Sequence, residues 1–247
     1  MRSPPVSGSW RSDGPGPPLV LIAHGSRDGR SSAVVRRIAA RLDARAAFID
    51  FDRPGPVTLM TDLADAGHRT VVAVPLLLTD AFHSRVDVPR LLAEVREKRP
   101  KLEVLAGAPV GGPELVPALV RPLPPGTDGI VLAAAGTRDP ESLIQVGDMA
   151  ERTGAHAGVP AGPAFAASAE PSVGAAVEKL RARGAERVAV ASYFIAPGLL
   201  YERVRVAALA AGVPVAPPLG DAGELLAVVR DRYGAALGVG AGLGMAA

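Results

Sequence analysis

Short stretches that are apolar at almost every position alternate along this chain with longer stretches that are apolar on one side only. Residues 19–23 (Leu-Val-Leu-Ile-Ala) and 70–77 are of the first kind, which is typical of strands buried on both faces of a parallel sheet. Residues 31–44 are of the second kind, with apolar side chains at helical spacing and arginines on the opposite side. This part of the chain is therefore predicted to hold two strands and a helix.

The alternation continues through the first half of the chain. It predicts further strands at 46–51 and 102–106, and further helices at 56–66, 88–97 and 114–120. Strands that alternate with helices indicate an α/β fold, in which right-handed crossovers connect the strands of a parallel sheet.

The pattern then begins again. Residues 20–28 (VLIAHGSRD) match residues 131–139 (VLAAAGTRD), which lie 111 positions later, and from Phe48 onward the matching residues lie 117 positions apart. Two copies of one unit predict two similar lobes that face each other across a cleft.

Composition shifts mark five segments. Residues 1–18 and 121–128 are rich in Pro, Gly or Ser, and the last glycines follow the final apolar pattern. The predicted segments are a disordered tail at 1–18, a first lobe with the active site at 19–120, a linker at 121–128, a degenerate second lobe at 129–235 and a flexible tail at 236–247.

Two histidines differ between the copies although their surroundings are retained. His24 follows the first strand and matches Ala135, while His83 follows the third strand and matches Leu200. Since the second copy is predicted to fold without either imidazole, we interpret both histidines as functional rather than structural.

The carboxyl ends of neighbouring parallel strands share one edge of a sheet, where α/β proteins bind ligands. We therefore expect His24, Asp50 and the loop that carries His83 to converge there. Two imidazoles and a carboxylate suit a divalent first-row metal and leave positions open for a further ligand. Asp52, two residues beyond Asp50 and on the same predicted face, is the alternative carboxylate.

Ser26 and Asp87 each have a structural explanation as well as a functional one, and the two remaining histidines have no expected role in the site. Ser26 either donates a hydrogen bond in the site or caps the following helix. Asp87 either orients the ring of His83 or starts a helix. His68, at the opposite edge of the sheet, and His156, in a loop rich in Gly and Ala, are expected at the surface.

Composition and motifs exclude several classes of site. The chain has no Cys, so thiolate metal sites and disulfides are excluded, and its formal net charge of +2 is too small to indicate nucleic-acid binding. No nucleophile elbow, phosphate loop or dinucleotide fingerprint follows the first strand.

The longest apolar run, 71–78, is too short for a bilayer and no signal peptide precedes the first strand, so we expect a cytoplasmic protein.

Three segments around the predicted site resemble a known family. They are Ala-His-Gly-Ser-Arg at 23–27, Phe-Ile-Asp at 48–50, and Val-Pro-Leu-Leu-Leu-Thr-Asp-Ala-Phe-His-Ser-Arg-Val-Asp-Val-Pro at 74–89. Together they look like the class II chelatases that act on sirohydrochlorin, the CbiX/SirB group. The resemblance covers residues 19–235, and the second lobe looks like the degenerate copy of the long, two-lobed members.

The resemblance implies ATP-independent insertion of Co²⁺ or Fe²⁺ into sirohydrochlorin, leading to sirohaem or cobalamin. The family's two metal-handling histidines fall on His24 and His83, and its acidic residue, commonly Glu, falls on Asp50. The metal is then a substrate, and no permanently bound cofactor is implied.

The resemblance also implies roles for other polar residues. His24 is the expected proton acceptor, because imidazole takes up a proton near neutral pH. The carboxylates of the tetrapyrrole are expected to meet Arg27, Arg30 and Arg85, with Ser26 as a hydrogen-bond donor.

Other functions remain open. A carrier of metal or tetrapyrrole would use the same ligands without forming product, and a structural or regulatory protein would hold a decayed site. A two-lobed chain can complete its own cleft, so a monomer is possible, and neither a nucleic acid nor a membrane is an expected partner.

Overall fold

A computed structural model describes residues 16–79 and 86–239 of the chain. It confirms the α/β fold and the two similar lobes. Within the described residues, the first lobe holds a four-stranded parallel sheet with strand order β2-β1-β3-β4, and the second holds a three-stranded parallel sheet with order β6-β5-β7. The strands are β1 (Leu19–Ala23), β2 (Arg45–Phe48), β3 (Thr70–Pro75), β4 (Glu103–Ala106), β5 (Gly129–Ala134), β6 (Ala161–Phe165) and β7 (Val188–Ser192).

Helices flank both sheets. They are α1 (Gly29–Arg41), α2 (Pro56–Asp65), α3 (Val88–Lys98), α4 (Val116–Val120), α5 (Pro140–Ala157), α6 (Val173–Arg181), α7 (Leu199–Ala210) and α8 (Gly223–Ala236). Local sequence explains several of their starts. The side chain of Asp28 accepts a hydrogen bond from the Arg30 backbone N–H at the beginning of α1, and Ser172 does the same for Ala175 in α6.

Most predicted elements lie within a few residues of their observed positions, and two predictions were wrong in detail. The second strand was expected to reach residue 51 but ends at Phe48, and the chain then makes a tight turn centred on Phe51. His156 was expected in a loop but lies in the last turn of α5, where it is exposed. The predicted linker, 121–128, contains no helix or strand.

The central strands explain where the core lies. Every residue of β1, β5 and β7 is buried, as expected for strands covered by helices on both faces. One apolar cluster runs through both lobes, and it includes Leu21 of β1, Leu119 of α4, Leu132 of β5 and Leu225 of α8. The two lobes are therefore joined by a continuous core.

The last helix of each half packs against the other lobe. Helix α4 contacts α5 and β7, whereas α8 contacts β3 of the first lobe. A hydrogen bond and an ion pair also connect the two lobes: the Tyr193 hydroxyl donates to the Leu78 carbonyl over 2.8 Å, and Arg121 pairs with Glu224 over 2.6 Å.

Among the described residues, no helix has the length and apolarity that crossing a bilayer requires.

Asp221 holds α1 of the first lobe against the second lobe. Its carboxylate accepts hydrogen bonds from Arg37 Nε over 3.1 Å and from Arg41 Nη1 over 2.8 Å. Partial burial raises the pKa of Asp221, but the hydrogen bonds from the two arginines outweigh that effect, so the pKa lies below its usual value.

We expect Asp221→Asn to lower the melting temperature at pH 7 by about 2–4 °C, which corresponds to about 1 kcal/mol for a paired surface carboxylate. Because the folded-state pKa lies below the unfolded one, the stabilisation is present above the unfolded value and is lost as the pH falls through the folded value. The difference between the variant and the wild type should therefore disappear in acid. Thermal melts from pH 3 to pH 7 measure it.

Glu97→Gln is the matched control, because this exposed side chain has no ion pair within the described residues. It should leave the melting temperature unchanged at every pH. Parallel melting curves for Asp221→Asn and the wild type across the whole pH range would show that this contact between the lobes contributes nothing.

Candidate functional site

His24 is the first residue after β1, at the carboxyl edge of the first sheet, as predicted. Its side chain is 39% exposed, and its Nδ1 lies 3.2 Å from the Gly25 carbonyl oxygen. The apolar side chains of β1 bury the strand up to Ala23. The strand therefore delivers an accessible imidazole from a rigid, fully packed element.

The turn after His24 fits tightly against the segment that follows β2. The Asp50 backbone N–H donates to the His24 carbonyl over 2.8 Å, and Gly25 adopts a left-handed φ of 92° directly against the Asp50 carbonyl. Only glycine fits this close approach without strain. The two segments are held together by backbone contacts, so the position of Asp50 relative to His24 is fixed by the fold.

Asp50 faces the imidazole. Its Oδ2 lies 4.0 Å from His24 Nε2, and its side chain is 55% exposed. Asp52, the alternative carboxylate, is turned away: its Oδ2 accepts a hydrogen bond from the Ser26 backbone N–H over 3.2 Å, and its side chain is 15% exposed. The chain turns between the two residues, so they do not share the face that a continuous strand would have given them.

Asp52 serves the site by holding the turn in place. Besides its contact with Ser26, its carboxylate lies 3.9 Å from Nη2 of Arg36. The Arg36 guanidinium also lies over the Phe48 ring, at 5.1 Å from its centroid. We interpret Asp52 as a structural support of the turn that presents His24.

Ser26 is not the cap of the following helix, which was one of its two expected roles. Its hydroxyl oxygen accepts a hydrogen bond from the Asp28 backbone N–H over 3.1 Å, while Asp28 itself is the N-cap of α1. The hydroxyl lies near the start of α7 in the second lobe, where a Cβ added to Gly198 would be 3.6 Å from it. Its role as a substrate donor stays a prediction.

The two arginines near His24 differ in their pairing. Arg30 is engaged, because its guanidinium donates to the Asp28 carboxylate and, over 3.0 Å, to Glu202 in α7 of the second lobe. These hydrogen bonds raise the pKa of Arg30, and the one from Arg30 lowers the pKa of Asp28. Arg27, within the described part of the chain, forms no ion pair, and its guanidinium lies over the Phe51 ring at 5.3 Å from the centroid.

Phe51 is the residue that the sequence interpretation missed. Its side chain is 60% exposed, and its ring centroid lies 6.3 Å from that of the His24 imidazole, with 30° between the planes. A signal was available in the sequence, since the matching residue of the second lobe is Ser168.

The second lobe repeats the turn geometry without the functional groups. Gly136 has a φ of 91° against the Ala167 carbonyl, as Gly25 has against that of Asp50. The Asp139 backbone N–H bonds to Thr137 as that of Asp28 does to Ser26. Since Ala135 stands in place of His24 in an equivalent turn, the fold does not require the imidazole.

Several predicted residues lie elsewhere or beyond the described residues. His83 and Arg85 fall in 80–85, outside the described residues, and no set of three potential metal ligands clusters in the ranges that the structure describes. Asp87 is at the N-cap position of α3, 3.5 Å from Arg90, and His68 is exposed at the opposite edge of the sheet.

The cavities that the described residues line lie away from the candidate site. Two cavities, of about 320 and 370 Å³, both lie away from His24. The first is lined by His68 and Lys101 at the opposite edge of the first sheet, and the second by Pro163 and Lys179 in the second lobe. We therefore assign the candidate site from the chemistry of His24 and Asp50, not from the cavities.

Known proteins share this fold. SirB from Bacillus subtilis with Fe³⁺ superimposes with a TM-score of 0.74 at 20% identity, covering 88% of this chain and 94% of that one. The sirohydrochlorin chelatase SirB from Bacillus subtilis subspecies spizizenii, in complex with cobalt, gives the same TM-score at 18% identity, with the same coverage.

Two relatives that are similar in sequence are named as sirohydrochlorin chelatases. A sirohydrochlorin cobaltochelatase of Priestia megaterium is 23% identical over 206 residues, which is 75% of this chain and 66%, slightly less than two thirds, of the relative. A sirohydrochlorin ferrochelatase of the same organism is 25% identical over 204 residues, which is 76% of each chain. The CbiX family model matches twice, at residues 18–122 and at 129–236. Since these two matches cover most of the sequence and coincide with its two lobes, the chain belongs to the CbiX family.

Proposed function

We propose that this protein inserts a divalent metal, Co²⁺ or Fe²⁺, into sirohydrochlorin without ATP, as a step of sirohaem or cobalamin biosynthesis. One observation carries the proposal: the pairing of His24 with Asp50 at the carboxyl edge of the first sheet, in a turn whose copy in the second lobe has Ala135 and Ala167 instead. Membership of the CbiX family and the names of the relatives support the choice of reaction.

The reaction needs an acceptor for protons. Each metal ion that enters the free macrocycle replaces two protons on pyrrole nitrogens, so the products are the metallated macrocycle and two H⁺. In the proposed mechanism the His24 imidazole accepts the two pyrrole protons one after the other, and Asp50, 4.0 Å from Nε2, stabilises the imidazolium that forms each time. Both side chains are partly exposed, so the proton can pass on to water.

The same groups can hold the incoming metal ion. Imidazole nitrogen and carboxylate oxygen are ligands for Co²⁺ and Fe²⁺, and a set of His24, Asp50 and His83 would bind either ion loosely enough to release it. In this proposal the metal is a substrate, and the protein has no permanently bound cofactor. His83 enters through the sequence argument alone.

The substrate's carboxylates call for cationic partners. Arg27 is the best placed of the described arginines, because its guanidinium lies over Phe51, whose ring is beside His24, and it has no carboxylate partner among the described residues. Arg30 can contribute only if its pairing with Glu202 opens. Arg85 and the Ser26 hydroxyl complete the proposed set, and a single chain supplies both lobes around it.

A visible absorption time course tests the proposal. We expect the purified protein, mixed with sirohydrochlorin and Co²⁺ or anaerobic Fe²⁺ without ATP, to accelerate the spectral change at least about tenfold over the blank, and His83→Ala to lose that acceleration. The variant removes one proposed ligand and replaces it with the smallest ordinary side chain.

Two outcomes would contradict the proposal. A wild-type rate equal to the blank, with metal or tetrapyrrole still bound, would favour a carrier that hands its cargo to a partner. Full activity of His83→Ala would remove that residue from the mechanism.

A further inference from the structure

Phe51 combines two features that each cost free energy in the folded protein. Its large apolar side chain is 60% exposed, and of the large hydrophobic residues exposed in the described ranges it is the aromatic one. It also adopts a φ of 64°, a left-handed conformation that side chains with a Cβ rarely take. The Asp52 backbone N–H donates to the Asp50 carbonyl over 2.7 Å, so Phe51 lies at the centre of a tight three-residue turn.

The repeat separates what the turn needs from what this lobe adds. The matching residue of the second lobe, Ser168, has a φ of 61°, so both lobes use a left-handed residue at this point. A small polar side chain satisfies the turn there. The turn therefore does not explain an aromatic side chain in the lobe that carries His24, and strained positions of this kind concentrate at functional sites.

The surroundings of the ring indicate a ligand that is flat and anionic. The ring centroid lies 6.3 Å from that of His24, with 30° between the planes, so a flat ligand in contact with the Phe51 ring would lie beside the imidazole. The Arg27 guanidinium is held over the ring at 5.3 Å from its centroid. An aromatic surface with an adjacent cation can take a conjugated ring and a carboxylate on its rim.

We propose that Phe51 is a positioning residue whose ring stacks against the face of the tetrapyrrole and holds its nitrogens beside His24, while Arg27 pairs with a carboxylate on the rim. The proposal rests on the proposed function, since it takes sirohydrochlorin as the ligand. It assigns to Phe51 the binding of the macrocycle and not the binding of metal.

Titration of metal-free sirohydrochlorin with the full-length protein tests this, using the absorbance of the tetrapyrrole. We expect Phe51→Ser, which introduces the residue of the second lobe, to raise Kd about tenfold through loss of the aromatic contact. KM for sirohydrochlorin should rise by a similar factor, while kcat changes less than about threefold and KM for Co²⁺ does not change. Phe51→Tyr, which keeps the ring, should retain the wild-type Kd.

Phe51→Gly distinguishes binding from folding. Glycine relieves the left-handed strain, so this variant should melt at a higher temperature than the wild type and still bind sirohydrochlorin about tenfold more weakly. A structural role for the ring would instead lower the melting temperature together with the affinity.

The role of Phe51 and the proposed function can fail independently of each other. If the wild type metallates sirohydrochlorin and Phe51→Ser binds it with unchanged Kd, the role of Phe51 is overturned and the proposed function stands. If the wild type binds sirohydrochlorin without metallating it, the proposed function fails, and a weaker Kd of Phe51→Ser and Phe51→Gly still supports the stacking role.

Discussion

His24→Ala should reduce the rate of sirohydrochlorin metallation at least about 100-fold, the loss expected when a general base is removed. The imidazole is the group that we place at the reacting nitrogens, and its removal leaves Asp50 without the imidazolium that it would stabilise. Folding should survive, because Ala135 occupies the same place after the equivalent strand β5. The visible time course at saturating Co²⁺ gives the rate, and thermal melting checks the fold.

His68→Ala and His156→Ala are the matched controls for this loss. Both histidines are exposed and lie away from the carboxyl edge of the first sheet, so both variants should retain the wild-type rate. Added imidazole should restore part of the rate of His24→Ala if a proton acceptor is what the substitution removes. A variant that keeps more than a tenth of the wild-type rate while folded would contradict the role of His24.

Comparison of the two halves of the sequence was sufficient to predict the position of His24. Buried strands such as β1 are continuous apolar runs, and the point where the run ends is visible without a structure. The retained Gly25 and Gly136 marked the turn, and the loss of the imidazole at Ala135 made His24 a candidate site residue. These are local properties, which explains why they can be read from the residues alone.

The choice between Asp50 and Asp52 could not be made in this way. Alternation along a strand puts residues two apart on one face, but β2 ends at Phe48 and the turn around Phe51 sends the two carboxylates in different directions. The left-handed conformation has no signature when the residue is Phe rather than Gly or Asn.

Contacts between the lobes could not be predicted from the sequence either. The pairing of Arg30 with Glu202 joins residues 172 positions apart, and the packing of α8 on β3 joins the end of the chain to the first lobe. Such contacts depend on the relative placement of the lobes, which no spacing or periodicity within either lobe determines.

Gly25→Ala should lower the free energy of unfolding by at least about 3 kcal/mol. A Cβ at residue 25 would lie within 1.8 Å of the Asp50 carbonyl oxygen, which is backbone and can move only if the His24 turn separates from the Asp50 segment. The φ of 92° adds strain for any residue with a Cβ. Denaturant unfolding measures the loss.

Three glycine variants resolve the causes of that loss. Gly29→Ala has nothing within 4 Å of the added Cβ and should be at least as stable as the wild type. Gly67→Ala, with a φ of 97° but open space around the added Cβ, should lose only about 1 kcal/mol in the free energy of unfolding.

Gly136→Ala brings its Cβ to the same 1.8 Å from the Ala167 carbonyl oxygen and should lose as much stability as Gly25→Ala. Its folded fraction should nevertheless keep the wild-type kcat, because the contact between His24 and Asp50 is in the other lobe, while Gly25→Ala should lose activity even where it is folded. Equal activity of the two variants per folded molecule would show that the backbone contact between the His24 turn and Asp50 does not govern the site.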